Sequence, residues 1–326
     1  MKTQTIAIIG LDRMGLSVAL AIKKAGLAVS LIGHDADAVV AREAKDRIAA
    51  FDKVVWNLAN AVQKADIVVL TTAAADVETT LQVIGTELQA HTLVLDFSPL
   101  KQKAIDWAGR YLQQGHYVGA MPVLNVEAMV DGRSAIHSAA ADLFRNSVFC
   151  LMPSAKADPD AVETAVNFGI LLGARPFFVN PQEYDKLIQG LETLPRLTAV
   201  ALWSTLHQAA GWRDMLRFAG LPFALTTLPL QNGRDIAAMV MDDQPATLHW
   251  LDRLIVELQK VRQLVHEGEQ PVLEAVATEL AHDRQRWVGQ RQQNEWDERT
   301  IPQVRQRSLG EQMLGGFASR KDEDEA

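Results

Sequence analysis

The sequence predicts a mostly parallel α/β domain at the N-terminus, followed by an all-helical domain. Three observations carry that expectation. The first is the opening stretch Ile6-Ala7-Ile8-Ile9-Gly10-Leu11-Asp12-Arg13-Met14-Gly15, where four apolar residues run into a glycine. A helical pattern starts at Gly15 with Leu16, Val18, Ala19, Leu20 and Ile22, and a second apolar run, 27–32, closes on Gly33-His34-Asp35. The second observation is that apolar runs alternate with helical patterns as far as residue 180, the signature of a parallel sheet covered on both faces. The third is that strand signals almost vanish from there to about Trp296.

Strand, tight turn, helix, strand and acid, in that order, make a dinucleotide-binding βαβ unit of the Rossmann type. Gly10 permits the tight turn, and Gly15 lets helix pack on strand. The helix N-terminus offers free N–H groups to a pyrophosphate. Asp35, about 20 residues past the turn, stands where a carboxylate takes the ribose hydroxyls. The expected cofactor set is Gly10, Leu11, Asp12, Arg13, Met14, Gly15 and Asp35, with Thr72 and Ser98 at the ends of two later strands. Asp35 favours NAD, because a carboxylate repels the 2′-phosphate of NADP; Arg42 on the following helix leaves NADP open.

Asp12 breaks the pattern, since it replaces the middle glycine that lets pyrophosphate approach the backbone. A carboxylate about 4 Å from a phosphate, at an effective dielectric of about 20, costs about 4 kcal/mol. Arg13, next in line, is placed to pair with Asp12 or with the phosphate and recover much of that.

Composition sets the class. With 326 residues, 48% hydrophobic and 22% charged, the chain is long enough for two ordinary globular cores. A formal net charge of −8 argues against a nucleic-acid partner. Cys150 is the sole cysteine and lies in an apolar run, so it reads as a buried structural thiol in a reducing compartment. Met1-Lys2-Thr3-Gln4 leads straight into the first strand, so no signal peptide is expected, and no apolar run is long enough to span a membrane. The expectation is a cytoplasmic protein.

In chain order, residues 36–49 are expected to be helical, with a short strand near Val54-Val55-Trp56. Strands follow at 66–70 and 92–97, and helices at 77–88 and 98–112. The small residues Thr71-Thr72-Ala73-Ala74-Ala75 suit either close approach of a ligand at the sheet edge or a plain tight loop. Tyr117-Val118-Gly119 is a strand leading into Ala120-Met121-Pro122, and Asn125 to Ser138 reads as a loop. Strands at 148–152 and 175–179 bracket a helix capped by Asp158. Asn180-Pro181-Gln182-Glu183 is a capping box.

The domains expected are therefore 1–180 for the cofactor, 181–298 for helices, and 299–326 as an acidic disordered tail ending in Arg320-Lys321-Asp322-Glu323-Asp324-Glu325. In the second domain Leu187, Leu191 and Leu194 recur at helical spacing, as do Leu251, Leu254, Ile255, Leu258, Val261 and Leu264. Such faces form either a dimer core or a bundle closed on itself.

Several stretches then resemble the prephenate and arogenate dehydrogenases of tyrosine biosynthesis, over about residues 5 to 290. Asp66-Ile67-Val68-Val69-Leu70 with Asp76 is similar to the family's fourth strand. Asp96-Phe97-Ser98-Pro99-Leu100-Lys101 resembles its Asp-x-x-Ser-x-Lys turn, with the hydroxyl one place early at Ser98. Ala141 to Phe144, Leu172 to Arg175, Tyr184-Asp185 and Leu194-Pro195 recur at the family's distances. Gly211-Trp212-Arg213-Asp214-Met215-Leu216-Arg217 is similar to Gly-Phe-Arg-Asp-x-Thr-Arg. The resemblance implies an NAD(P)-dependent oxidative decarboxylation of a dicarboxylate such as prephenate or arogenate. It implies a homodimer through the helical domain, and Arg217 and Arg213 as the substrate-carboxylate anchors. A histidine would take the ring hydroxyl's proton as hydride leaves for the nicotinamide.

Two family histidines are replaced. The catalytic one falls at Met121, which cannot accept a proton, and the one before Leu-Pro falls at Thr193. The catalytic base is thus unassigned. His137 is the candidate replacement, against the plainer reading of an exposed loop histidine; His207 reads as a helix-surface or core residue. Two other functional readings stand beside the dehydrogenase: a catalytically degenerate NAD(P)-binding homologue with a sensing or partner role, and a β-hydroxyacid dehydrogenase-like oxidoreductase. The last rests on Gly10-Leu11-Asp12-Arg13-Met14-Gly15 and would need Lys186 as its acid/base residue.

Overall fold

Along the first apolar run, Ile6 and Ile8 pack into one hydrophobic core while Ala7 and Ile9 pack into another. The same division separates Ile67 and Val69 from Val68 and Leu70, and Leu93 and Leu95 from Val94. Side chains of a strand alternate between faces, so a strand covered on both faces has to be apolar throughout. That is why these runs are continuous rather than alternating.

The computed structural model describes residues 3–47, 50–130, 138–154 and 157–294. It divides into two units, one running to Gln182 and one starting at Glu183. In the first unit the strands are β1 (Thr5–Ile9), β2 (Ser30–His34), β3 (Lys53–Val54), β4 (Ile67–Leu70), β5 (Leu93–Asp96), β6 (His116–Pro122), β7 (Val148–Pro153) and β8 (Arg175–Phe178). They form one sheet in the order β3-β2-β1-β4-β5-β6-β7-β8. Pairing is parallel except between β6 and β7. Chain order reverses direction between β1 and β4, and the crevice beyond the carboxyl ends of such strands is where α/β sheets bind ligands.

The helices of this unit are α1 (Arg13–Lys24), α2 (Ala38–Arg47), α3 (Leu58–Val62), α4 (Val77–Ile84), α5 (Gln102–Tyr111), α6 (Val126–Val130) and α7 (Pro159–Leu171). Asp158 caps α7, accepting from the N–H groups of Asp160 at 2.9 Å and Ala161 at 3.2 Å.

Two expectations change here. The stretch from Asn125, read as a loop, opens with α6, whose first turn is tied by Asn125 accepting from Ala128 N–H at 2.8 Å. An asparagine cap outweighs the weak helical pattern of so short a segment. Strand β6 also continues past Gly119 to Pro122, because Ala120, Met121 and Pro122 pair with Leu151, Cys150 and Phe149 of β7. Pro122 is tolerated as the last residue of the strand.

The second unit is helical, with α8 (Pro181–Ile188) leading in from the first. A π turn, Gln189–Thr193, joins α8 to α9 (Leu194–His207). Then come α10 (Trp212–Met215), α11 (Leu221–Thr227), α12 (Gly233–Asp242), α13 (Gln244–Glu267) and α14 (Gln270–Gln293). Asn180 accepts from Gln182 N–H at the head of α8, and Gly268 turns α13 into α14 at a φ of +72°. Leu251, Leu254 and Leu264 are half-buried, whereas Ile255, Leu258 and Val261 on the same helix are exposed. Among the described residues no helix is long and apolar enough to cross a membrane. The charged run 320–325 lies outside the described residues.

Candidate active site

The turn after β1 is built on contacts that only glycine allows. Gly10 sits at a φ of +99°, and a Cβ there would lie 2.6 Å from Thr71 Oγ1. A Cβ on Gly15 would lie 2.0 Å from the Gly10 carbonyl oxygen. Thr71 closes the turn from β4, its hydroxyl donating to the carbonyls of Gly10 at 2.7 Å and Ile9 at 3.2 Å. Thr71 was not among the expected site residues; its signal was only that a small hydroxyl residue ends a buried strand. Leu11 is wholly buried and Met14 packs half-buried on the core, so both shape the turn from beneath.

Asp12 is the N-cap of α1. One of its carboxylate oxygens accepts from the N–H groups of Met14 and Gly15, each at 3.0 Å. Asp35, at the end of β2, accepts from Leu11 N–H at 2.7 Å and Asp37 N–H at 2.8 Å. The protein packed around the Asp12 carboxylate desolvates it and raises its pKa, with the like charge of Asp35 adding to the rise. The amides of Gly15 and Met14 pull the other way, and the residue as a whole remains exposed, which limits the penalty. Arg13 is buried and its Nε donates to the Ser138 carbonyl at 3.2 Å, so it braces the turn against the segment beyond α6.

At the end of β4, Thr72 Oγ1 is buried without a hydrogen-bond partner, a polar atom left at the sheet's carboxyl edge. Ser98 was expected on the same edge. It is buried, and its hydroxyl donates to Asp96 at 2.8 Å instead of facing a ligand. Tyr117 Oη donates to the same carboxylate at 2.6 Å. Lys101, fully buried, sends its ammonium to the carbonyls of Asp96, at 2.7 Å, and Ser98, and stands 3.9 Å from the Asp96 carboxylate. The pull of a buried carboxylate with three donors around it turns Ser98 inward. The Asp-x-x-Ser-x-Lys likeness was the available signal for this cluster, but it did not say that the lysine is interior.

Met121 is half-buried one residue from the end of β6, held opposite Cys150 of β7. Its thioether has no proton to exchange near neutral pH. His137 lies outside the described residues.

In the second unit, Gly211 at a φ of +82° leads into α10, which carries Arg213. Arg217 follows on a 3₁₀ turn and lies 3.4 Å from Asp214, with side chains 78% and 73% exposed. So open a pair holds neither side chain firmly, and Arg217 stays available to an anion. Trp203 and Trp212 meet edge to face at 5.4 Å, Trp203 stacks on Phe223 at 5.6 Å, and the His207 ring meets Trp212 at 5.9 Å. Thr193 is buried in the π turn with its hydroxyl unpartnered. Lys186 lies on α8. Among the described residues no group of three or more His, Cys, Asp or Glu side chains is placed to hold a metal ion.

The comparisons agree with this geometry. The family described as prephenate dehydrogenase, nucleotide-binding domain, matches residues 18–177. The prephenate dehydrogenase of Bacillus subtilis (strain 168) is 27% identical over 281 residues, covering 81% of this chain and 71% of that protein. The nucleotide-binding domain of this chain belongs to the prephenate dehydrogenase family. A prephenate dehydrogenase of Lactococcus lactis subsp. cremoris (strain MG1363) is 25% identical over 249 residues, 71% of this chain and 65% of that protein. The fold is that of the Aquifex aeolicus prephenate dehydrogenase solved with hydroxyphenyl propionate and NAD+, at a TM-score of 0.73 and 18% identity, covering 88% of this chain and 99% of that one. Synechocystis arogenate dehydrogenase gives a TM-score of 0.62 at 21% identity, over 87% and 100% of the two chains. The family match starts at Val18 and so leaves the turn 10–15 outside the matched span.

Proposed function

We propose that this chain is an NAD(P)-dependent dehydrogenase for a dicarboxylate of the prephenate or arogenate class, with an altered proton-accepting position. The observation that carries the reading is the gathering of Gly10, Gly15, Asp35 and Thr72 at the switch point of a family nucleotide-binding domain. The residues fit a dinucleotide at the ribose, where Asp35 follows β2, and at the unpartnered Thr72 hydroxyl; at the pyrophosphate they fit once Asp12 turns aside. A nicotinamide, when bound, supplies the hydride acceptor. NAD is favoured over NADP by the charge of Asp35.

On this reading residues 1–180 bind the cofactor and 181–298 bind substrate and dimerise, in the cytoplasm. Arg217 and Arg213 hold a substrate carboxylate through charge-assisted hydrogen bonds. The exposed Ile255, Leu258, Val261 and Val265 of α13 form the dimer surface. With methionine at position 121 the general base is missing, a deficit of about 10²–10⁴ in rate. Met121→His supplies an imidazole at that place on β6. It is expected to raise prephenate-dependent or arogenate-dependent reduction of NAD+, followed by nicotinamide absorbance. Bound cofactor and substrate without any gain in the variant would contradict the assignment of position 121.

The methionine at position 121, in place of the family's histidine, also favours a second reading, a homologue that binds nucleotide without turnover. Full affinity for both ligands with no reduction by the wild-type protein or Met121→His would select it.

A further inference from the structure

Three of the N–H groups at the head of this Rossmann turn are already engaged in this chain. Met14 and Gly15 both donate to one oxygen of Asp12, at 3.0 Å each, and Leu11 donates to Asp35 at 2.7 Å. Three N–H donors of the turn, those of Leu11, Met14 and Gly15, therefore end on the chain's own carboxylates. A carboxylate on a helix N-terminus satisfies the same donors and the same helix dipole as a phosphate oxygen does. Both anions cannot share one set of N–H groups.

We propose that Asp12 is a built-in competitor for the pyrophosphate position, so that a dinucleotide binds only by displacing this carboxylate from the head of α1. The inference rests on the nucleotide-binding reading above and deepens it. Three further features support it. Arg13, the one cation beside Asp12 in the turn, is buried and directed to the Ser138 carbonyl. Burial and the neighbouring Asp35 already disfavour the charged form of Asp12, so the carboxylate is held there at some cost. Gly10 and Gly15 keep the tight turn and the close packing of helix on strand on which a pyrophosphate-binding turn is built.

The test compares the wild-type protein with Asp12→Asn and Asp12→Gly by calorimetric titration with NAD+ and with ADP-ribose, alongside thermal unfolding. Asparagine keeps an N-cap oxygen and removes the charge, and glycine removes the side chain. The inference predicts affinity for both ligands higher by about tenfold or more in each variant, with Asp12→Asn unfolding at a temperature close to wild type. Measurable wild-type binding that stays equal or weakens in both folded variants would overturn the competitor while leaving the nucleotide reading intact. No binding of either ligand by any of the three proteins would overturn both.

Discussion

Lys101 shows how much one residue carries here. Its ammonium is fully buried and meets the Asp96 carboxylate and two carbonyls. Removing one member of a buried ion pair leaves the other charge uncompensated, at a cost of about 3–5 kcal/mol. Lys101→Met is expected to lose that much in urea unfolding, while Tyr117→Phe, which removes only one donor to Asp96, loses about 1–3 kcal/mol. Equal and small losses would mean that the cluster is not coupled. Arg217 lies at the other extreme, exposed and weakly held. On the proposed function, Arg217→Ala weakens a bound dicarboxylate by about 1.5–3 kcal/mol without lowering stability. Titration with a non-reactive dicarboxylate analogue checks this, and unchanged affinity removes Arg217 from the site. Asp52 offers a pH test. The Leu31 N–H, followed by Lys23, lowers its pKa. A lowered folded-state pKa means stability that is present above the unfolded value, about 3.9, and lost as pH falls through the folded one. Asp52→Asn should therefore differ most from wild type at neutral pH and converge with it in acid.

At the scale of elements, the strands of the sheet were legible because burial on both faces writes itself as an unbroken apolar run. The head of α1 was read only in part. An aspartate just before a helical run is a cap signal, yet the glycine pattern placed the helix start at Gly15 and left Asp12 looking like a defect. The bond of Ser98 to Asp96 was not legible, because the Asp96 carboxylate is shared with Tyr117, which lies on the neighbouring strand opposite Val94. The extension of β6 to Pro122 depends in the same way on its partner β7. The α1–β1 packing also makes a firm prediction. Gly15→Ala puts a methyl 2.0 Å from the Gly10 carbonyl oxygen, so α1 has to shift. Overpacking of this kind costs about 1–3 kcal/mol, and loss of nucleotide affinity should accompany it. An unchanged unfolding midpoint and unchanged affinity would show that the turn is looser than its contacts imply.

For the whole molecule, the order of a parallel sheet followed by helices was legible in the change of hydrophobic period near residue 180. The roles of the two units were not, since they rest on a resemblance and on exposed side chains whose partners a single chain does not contain. The proposed dimer through α13 is measured directly by sedimentation across a range of concentrations. Leu258→Glu places a charge in the exposed apolar face and should shift a dimer toward monomer. The central claim is that the first unit remains a nicotinamide-nucleotide site. It is tested most directly by parallel calorimetric titrations of the wild-type protein with NAD+ and NADP+. The account predicts saturable binding of NAD+ that is tighter than that of NADP+, because the proposed place of Asp35 at the ribose would set its charge against a 2′-phosphate. A preference for NADP+ would contradict the role given to Asp35, and binding of neither nucleotide would contradict the central claim.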